Sequence, residues 1–140
     1  MLKRTKADFG MIPNLECVMA GAPALLSSYV QSWAAFKACG LTDIEKQVVY
    51  MTVNFENNCE YCVPWHTKLS EMAKMPAEEI EILRQGQALN DLKLNALHQF
   101  TKSMVLSRGA ITPADLSKFF EAGYSQQNAL EVVLGVSIKS

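Results

Sequence analysis

Three side chains with reactive chemistry, Cys59, Cys62 and His66, lie within eight residues of this 140-residue chain. Two cysteines in a CxxC spacing can open and close a short internal disulfide, and an imidazole can accept a thiol proton and return it. On one α-helix the three positions would fall within about 60° of each other. Cys62 and His66 would then be neighbours one turn apart. The spacing therefore favours a redox-active dithiol served by a histidine.

The position of Pro64 constrains where the helix that carries this motif begins. Proline is tolerated in the first turn of a helix and breaks a hydrogen bond further inside. We expect a helix that begins between Cys59 and Tyr61, which would place the CxxC pair at a helix N-terminus, where the thiolate is favoured. The alternative is a helix that begins at Asn57 and kinks at the proline.

Two other interpretations of the same three side chains stay open. Structural zinc usually takes four cysteine or histidine ligands, so a zinc site would need Cys17, Cys39 or His98 from a distant part of the chain. The cysteines can also be small apolar residues of the core. We interpret Cys17 and Cys39 as packing residues and His98 as a boundary or surface histidine.

Composition narrows the class of protein. At 140 residues, with 49% apolar and 19% charged residues, the chain is expected to form one globular domain over residues 1–140. The net charge is −1 and the basic residues are scattered, which predicts no binding to nucleic acid or to an anionic membrane. No apolar run approaches the roughly 20 residues that span a bilayer. We predict a cytoplasmic protein without a cofactor.

Helix start and stop signals recur from Pro23 onward, and strand signals are nearly absent. Thr42 with Glu45 forms a capping-box pattern, and "TPADLSKFFEAG" has a Thr cap followed by Pro. The sequence predicts an all-α bundle of about six or seven helices, preceded by an extended or turning arm over the first twenty residues. The last helical pattern has no stop signal, which suggests a truncated C-terminus or packing against a partner subunit.

"CEYCVPWH", preceded by the helical pattern "EKQVVYMTVNFENN", resembles the carboxymuconolactone decarboxylase superfamily, and within it the alkylhydroperoxidase D-like, peroxidase-related branch. Weaker similarity covers "FGMIPN", "LNALHQFTKS" and "LEVVLGVSIK". The resemblance implies an all-α fold that assembles as a trimer or hexamer. It also implies a thiol peroxidase or disulfide reductase that acts through Cys59, Cys62 and His66.

The resemblance also implies a proton relay on the preceding helix. The family commonly has a glutamate twelve residues before the first cysteine, and this chain has Gln47 there. Glutamine can hold a hydrogen-bonding partner but cannot accept a proton. Glu56, close to the cysteines in sequence, is the better candidate for a substitute carboxylate.

The leading hypothesis is a peroxidase that reduces organic hydroperoxides by dithiol chemistry, with a lipoyl-type or thioredoxin-like protein as the reductant. The alternatives are a zinc-binding protein that uses Cys59, Cys62 and His66, and a non-catalytic helical assembly module that has lost its base at Gln47. The lactone decarboxylase activity of the other branch needs no cysteine pair, so it is the less favoured interpretation.

Overall fold

The computed structural model describes residues 14–139, and within them it contains eight α-helices and no strand. The helices are α1 Asn14–Met19, α2 Pro23–Lys37, α3 Asp43–Glu56, α4 Cys62–Met72, α5 Ala77–Arg84, α6 Leu92–Leu106, α7 Pro113–Glu121 and α8 Gln126–Lys139. The all-α prediction is confirmed. No helix over residues 14–139 is both long and apolar enough to cross a membrane.

The number of helices exceeds the predicted six or seven because α1 lies inside the segment that was expected to be an arm. That expectation is wrong for Asn14–Met19, and the rest of the arm lies outside the described residues. The chain divides after Ala38 into two compact units, and α1 and α2 pack on each other in the first. The prediction of a single domain over residues 1–140 stays a prediction.

Helix α3 is the central element of the second unit, where it packs against α4, α5, α6 and α8. Its start is fixed as the sequence predicts. The Thr42 hydroxyl accepts from the Glu45 N–H at 3.1 Å, and the Glu45 carboxylate accepts from the Thr42 N–H at 3.0 Å. Most of its side chains are buried, including β-branched Val48 and Val53. Burial on several sides therefore outweighs the weak helix propensity of these valines.

A stack of three aromatic rings joins α6, α7 and the segment after α7. The Phe119 ring lies 4.1 Å from that of Phe100 and 4.6 Å from that of Tyr124, centroid to centroid. All three side chains are buried. The stack lies on the side of α6, which packs on α3, the helix that precedes the CxxC motif.

Candidate active site

A tight helix ending presents the first cysteine. Helix α3 ends at Glu56, and Asn58 adopts the left-handed conformation with φ 53°, which asparagine tolerates better than most residues. The Asn58 N–H donates to the Phe55 carbonyl at 3.1 Å, and the Cys59 N–H donates to the Asn54 carbonyl at 3.0 Å. These two bonds define a Schellman motif, which reverses the chain and directs it into α4.

Cys59 and Cys62 form a disulfide across this turn, with their Cα atoms 5.4 Å apart. Cys62 is the first residue of α4, and both cysteines are half-buried. The predicted helix start between Cys59 and Tyr61 is thus close to the observed one. The alternative start at Asn57 is wrong, because Asn57 caps the end of α3. Pro64 is the third residue of α4, where its missing N–H costs no helical hydrogen bond.

His66 lies one turn further along α4 and has no exposed surface. Its Nδ1 is 3.0 Å from Oε1 of Gln47 on α3. An amide oxygen can only accept, so Nδ1 carries the proton and the lone pair of the neutral ring is at Nε2. The structure therefore brings the predicted partner Gln47 to His66, where it fixes the ring and its tautomer.

Two residues near His66 were missed by the sequence analysis. The Tyr50 ring centroid lies 4.8 Å from that of His66, and Lys139 Nζ lies 5.3 Å from the centroid of the Tyr50 ring. Tyr50 follows Gln47 by three residues on α3, so helical periodicity could have indicated it. Lys139 comes from the far end of the chain, and nothing in the local sequence connects it to the motif.

The imidazole of His66 is neutral at physiological pH. Burial lowers its pKa well below the usual range, and the positive charge of Lys139 lowers it further. Burial also lowers the pKa of Lys139, to about 8. A neutral imidazole can accept a proton, and because its pKa is low it gives that proton up easily.

Glu56, the predicted substitute for the missing carboxylate, forms an ion pair with Lys102. Its Oε1 lies 3.8 Å from Lys102 Nζ, and the glutamate side chain is mostly buried. Glu56 is thus held toward α6, whereas Gln47 is held against His66 on α4. A role for Glu56 in proton transfer stays a prediction.

The remaining cysteines and histidine differ from the motif. Cys17 is exposed rather than packed, and Cys39 is half-buried with a pKa raised by burial and by Glu131. His98 is 1% exposed, so its interpretation as a boundary or surface residue is wrong. Among the described residues, no group of three or more His, Cys, Asp or Glu is arranged to hold a metal ion.

These features define an all-helical protein with a half-exposed cysteine pair at a helix N-terminus and a buried histidine one turn away. The chain belongs to the carboxymuconolactone decarboxylase family, whose sequence model matches residues 19–101, more than half of the 140 residues. A comparison with curated protein sequences gives no match.

Solved structures share the fold. An uncharacterized peroxidase-related protein from Silicibacter sp. TM1040 superposes with a TM-score of 0.84 at 16% identity, over 99% of this chain and 74% of that one. The alkylhydroperoxidase AhpD core of an uncharacterized peroxidase-related protein from Ralstonia eutropha JMP134 superposes with a TM-score of 0.86 at 17% identity, over 99% and 75%. The fold is therefore that of the alkylhydroperoxidase D-like proteins.

Proposed function

We propose that the protein is a thiol-dependent peroxidase that reduces organic hydroperoxides through Cys59 and Cys62, assisted by His66. The observation that carries this proposal is the half-exposed Cys59–Cys62 pair at the start of α4, with a neutral, buried His66 one turn away. Both cysteines are partly exposed to solvent, as access of a substrate requires. The helix N-terminus favours the thiolate, which is the nucleophile.

The proposed reaction converts the dithiol to the disulfide in two steps. One cysteine thiolate attacks the terminal peroxide oxygen, which breaks the O–O bond and leaves a sulfenic acid and an alkoxide that becomes the alcohol. The second thiol then attacks the sulfenic sulfur, forms the disulfide and releases water. Overall, two thiols and one hydroperoxide give one disulfide, one alcohol and one water.

His66 moves the proton in this scheme. Its Nε2 lone pair takes the proton of the attacking thiol and passes it to the departing alkoxide. Gln47 holds the ring by accepting from Nδ1–H at 3.0 Å, and it supplies orientation instead of the negative charge of a carboxylate. Without that charge the imidazole stays weakly basic, which suits rapid return of the proton to the alkoxide.

The reductant that reopens the disulfide would be a dithiol protein of the lipoyl or thioredoxin type. Tyr61, 53% exposed between the two cysteines, offers an apolar surface to the substrate or to this partner. A reducing compartment would keep the pair available for the next cycle, and we place the reaction in the cytoplasm. We propose no nucleic-acid or membrane partner.

An apolar face of α7 and α8 supports the proposed assembly into a homotrimer or homohexamer. Phe120 is 39% exposed, Leu130 65% and Val133 49%, and a groove of about 580 Å³ runs past the first two. Patches of this kind often mark protein interfaces. Light scattering coupled to size-exclusion chromatography tests this assembly; a monomer at micromolar concentration would contradict it.

The decisive experiment is a thiol titration of fully reduced protein before and after addition of cumene hydroperoxide. We expect the consumption of one equivalent of peroxide and the loss of two titratable thiols. Cys59→Ser and Cys62→Ser proteins should each fail to form the internal disulfide, and a Cys39→Ser protein is the matched control that should react normally. Equal reaction rates in all three variants and the wild type would refute the proposal.

A non-catalytic assembly module is a second candidate function, and Gln47 in place of a carboxylate is the feature that favours it. It predicts a normal oligomer with no turnover whichever dithiol reductant is supplied. The same titration therefore separates the two functions.

A further inference from the structure

The side chain of Asn54 is buried without a hydrogen bond. It is 1% exposed, and within the described part of the chain neither its Nδ2 nor its Oδ1 has a hydrogen-bond partner. A buried polar group in this condition costs about 1–3 kcal/mol. Such groups are uncommon in folded proteins and call for an explanation. A leucine of similar size would avoid this cost, so the amide is expected to serve a state other than the oxidised one.

Helical register directs this amide toward the cysteine pair. Asn54 follows Gln47 by seven residues, so the two side chains leave α3 within about 20° of each other. Gln47 reaches His66 on α4. After α3 the chain reverses through the short CxxC turn, and α4 runs back along α3. Two turns beyond Gln47, the same face of α3 therefore lies beside the beginning of α4. That is where Cys59 and Cys62 lie.

The Schellman motif makes the pairing more specific. In this motif the side chain three residues before the helix cap commonly packs against the residue that donates the long backbone hydrogen bond. Here these two residues are Asn54 and Cys59, joined by the 3.0 Å bond from the Cys59 N–H to the Asn54 carbonyl. The way in which α3 ends is therefore expected to bring the two side chains together.

We propose that the Asn54 amide donates a hydrogen bond to the Cys59 thiolate when the disulfide is reduced. A disulfide sulfur is neutral and accepts poorly, whereas a thiolate is a strong acceptor, so the bond forms only in the reduced protein. Asn54 thereby stabilises the reduced state and touches a reacting atom. The inference rests on the proposed function only in taking the Cys59–Cys62 pair to be redox-active.

The reductive step is balanced with an external dithiol. One thiolate of the reductant attacks the Cys62 sulfur and breaks the Cys59–Cys62 bond, and Cys59 departs as the thiolate that Asn54 receives. The second thiol of the reductant then closes its own disulfide and releases Cys62. Two electrons pass to the protein, and of the two protons one goes to Cys62 and one to solvent.

The test compares the wild type with Asn54→Leu and Asn54→Asp. The first removes the donor at similar size, and the second replaces it with an anion. In a Cys17→Ser, Cys39→Ser, Cys62→Ser background, which leaves Cys59 as the one cysteine of the chain, the thiolate fraction is followed by ultraviolet absorbance against pH. With the native pair, the dithiol–disulfide equilibrium is measured in dithiothreitol buffers. We expect Asn54→Leu to move that equilibrium about tenfold toward the disulfide, equivalent to about 30 mV.

The charged groups around Cys59 do not change between the wild type and Asn54→Leu. Glu56 stays paired with Lys102 from α6, Glu60 is exposed, His66 faces from α4, and Lys139 comes from α8. A shift in the Cys59 pKa would therefore report the amide. Asn54→Asp should raise that pKa at least as much, because a carboxylate repels a thiolate.

Thr52→Val is the matched control. Thr52 is also buried on α3, but its side chain leaves the helix about 160° away and contacts His98. This variant should lose stability and keep the Cys59 pKa and the redox equilibrium of the wild type. Oxidised Asn54→Leu should be at least as stable as the wild type, because it removes a buried amide without a partner.

An unchanged redox equilibrium in Asn54→Leu, or an unchanged Cys59 pKa in Asn54→Asp, would overturn the proposal. If Asn54→Leu does not fold, the measurements on Asn54→Asp decide. The proposed function fails separately: a protein that shows these shifts but does not consume hydroperoxide keeps the role of Asn54 and loses the peroxidase reaction.

Discussion

The two histidines of the chain are held in nearly the same way, on different sides of α3. Nδ1 of His66 on α4 is 3.0 Å from Gln47 Oε1, and Nδ1 of His98 on α6 is 2.7 Å from Thr52 Oγ1. Both rings are buried, and burial lowers both pKa values, that of His98 to about 4. Both are therefore neutral at physiological pH.

Each ring is held at Nδ1 by a residue of α3. The Thr52 Oγ1 that lies 2.7 Å from Nδ1 of His98 also donates to the Val48 carbonyl at 2.7 Å. What differs is the neighbour: Cys62 precedes His66 by one helical turn, whereas the surroundings of His98 include Lys102 and the backbone of Gln87.

Burial, a hydrogen bond at Nδ1 and a low pKa therefore do not identify a catalytic histidine. Perturbed pKa values are associated with functional sites, but structural groups also show them. The half-exposed cysteine pair one turn before His66 is the difference that bears on catalysis. Variants at the two positions can separate the effect of a buried histidine on stability, which both should show, from an effect on the reaction rate, which only His66 should show.

The largest expected effect is on the rate of peroxide reduction, which should depend on His66 and not on His98. His66→Asn should lower the rate at which reduced protein consumes cumene hydroperoxide by about 100-fold, because it removes the group that transfers the proton. His98→Asn should leave the rate within about twofold at temperatures where it is folded. Stopped-flow measurement of peroxide consumption tests both. Similar losses in the two variants would contradict the assignment of His66.

The second prediction concerns what the histidines share, which is sensitivity to acid. The pKa of His98 is about 4 in the folded protein and 6.5 is its ordinary value. The unfolded chain therefore binds more protons between these values, and stability falls as pH falls through this window. The loss attributable to His98 reaches about 3 kcal/mol at pH 4.

Urea unfolding of the oxidised protein at pH 7, 5.5 and 4 measures this loss. His98→Gln removes one titrating group, so its stability should decrease less steeply with acid than that of the wild type. His66→Gln should flatten the curve in the same sense. Because the carboxylates titrate equally in all three proteins, parallel curves would show that burial does not depress these pKa values.

Much of the fold could be predicted because its signals are local. Thr42 and Glu45 fix the start of α3, and the position of Pro64 limits where α4 can begin. The CxxC spacing and the helical offset of His66 likewise define the centre of the site. Gln47 was found through a family resemblance, and the structure places it against the His66 ring.

The residues that sequence reasoning missed depend on tertiary contacts. His98 was misassigned because a helix covered on several sides buries residues at the edge of its apolar stripe. Lys139 reaches Tyr50 from 89 positions away in the chain, so no local pattern connects them. Asn54 is an intermediate case: its register with Gln47 is visible in the sequence, but its burial is not.

The third prediction tests the partners of the two rings. Gln47→Glu should raise the pKa of His66, because a carboxylate beside Nδ1 favours the imidazolium. The acid limb of the pH–rate profile should then move to higher pH, with a several-fold change in rate near pH 6. Thr52→Val should instead cost about 1–3 kcal/mol of stability by leaving Nδ1 of His98 unsatisfied, with no change in rate.

Histidine ring resonances in NMR titrations, together with the pH–rate profile, measure both variants. A His66 pKa that is unaffected by Gln47→Glu would mean that the amide does not hold the ring in solution. A change in rate with Thr52→Val at full folding would mean that the two sides of α3 are coupled, which would remove the distinction between the histidines.

The smallest expected effect comes from the positive charge of Lys139 on α8, which lowers the pKa of His66. Lys139→Met removes this cation, so the pKa of His66 should rise. The rate at pH 7 should change by no more than about threefold, because solvent partly screens the charge of Lys139 from the imidazole. The pKa of Lys139 is about 8, so the lysine loses its charge above that pH. The difference between variant and wild type should therefore shrink as pH rises through 8. The exposed Lys118→Met is the control, and a difference that persists at pH 10 would attribute the effect of Lys139 to packing on Tyr50 instead of charge.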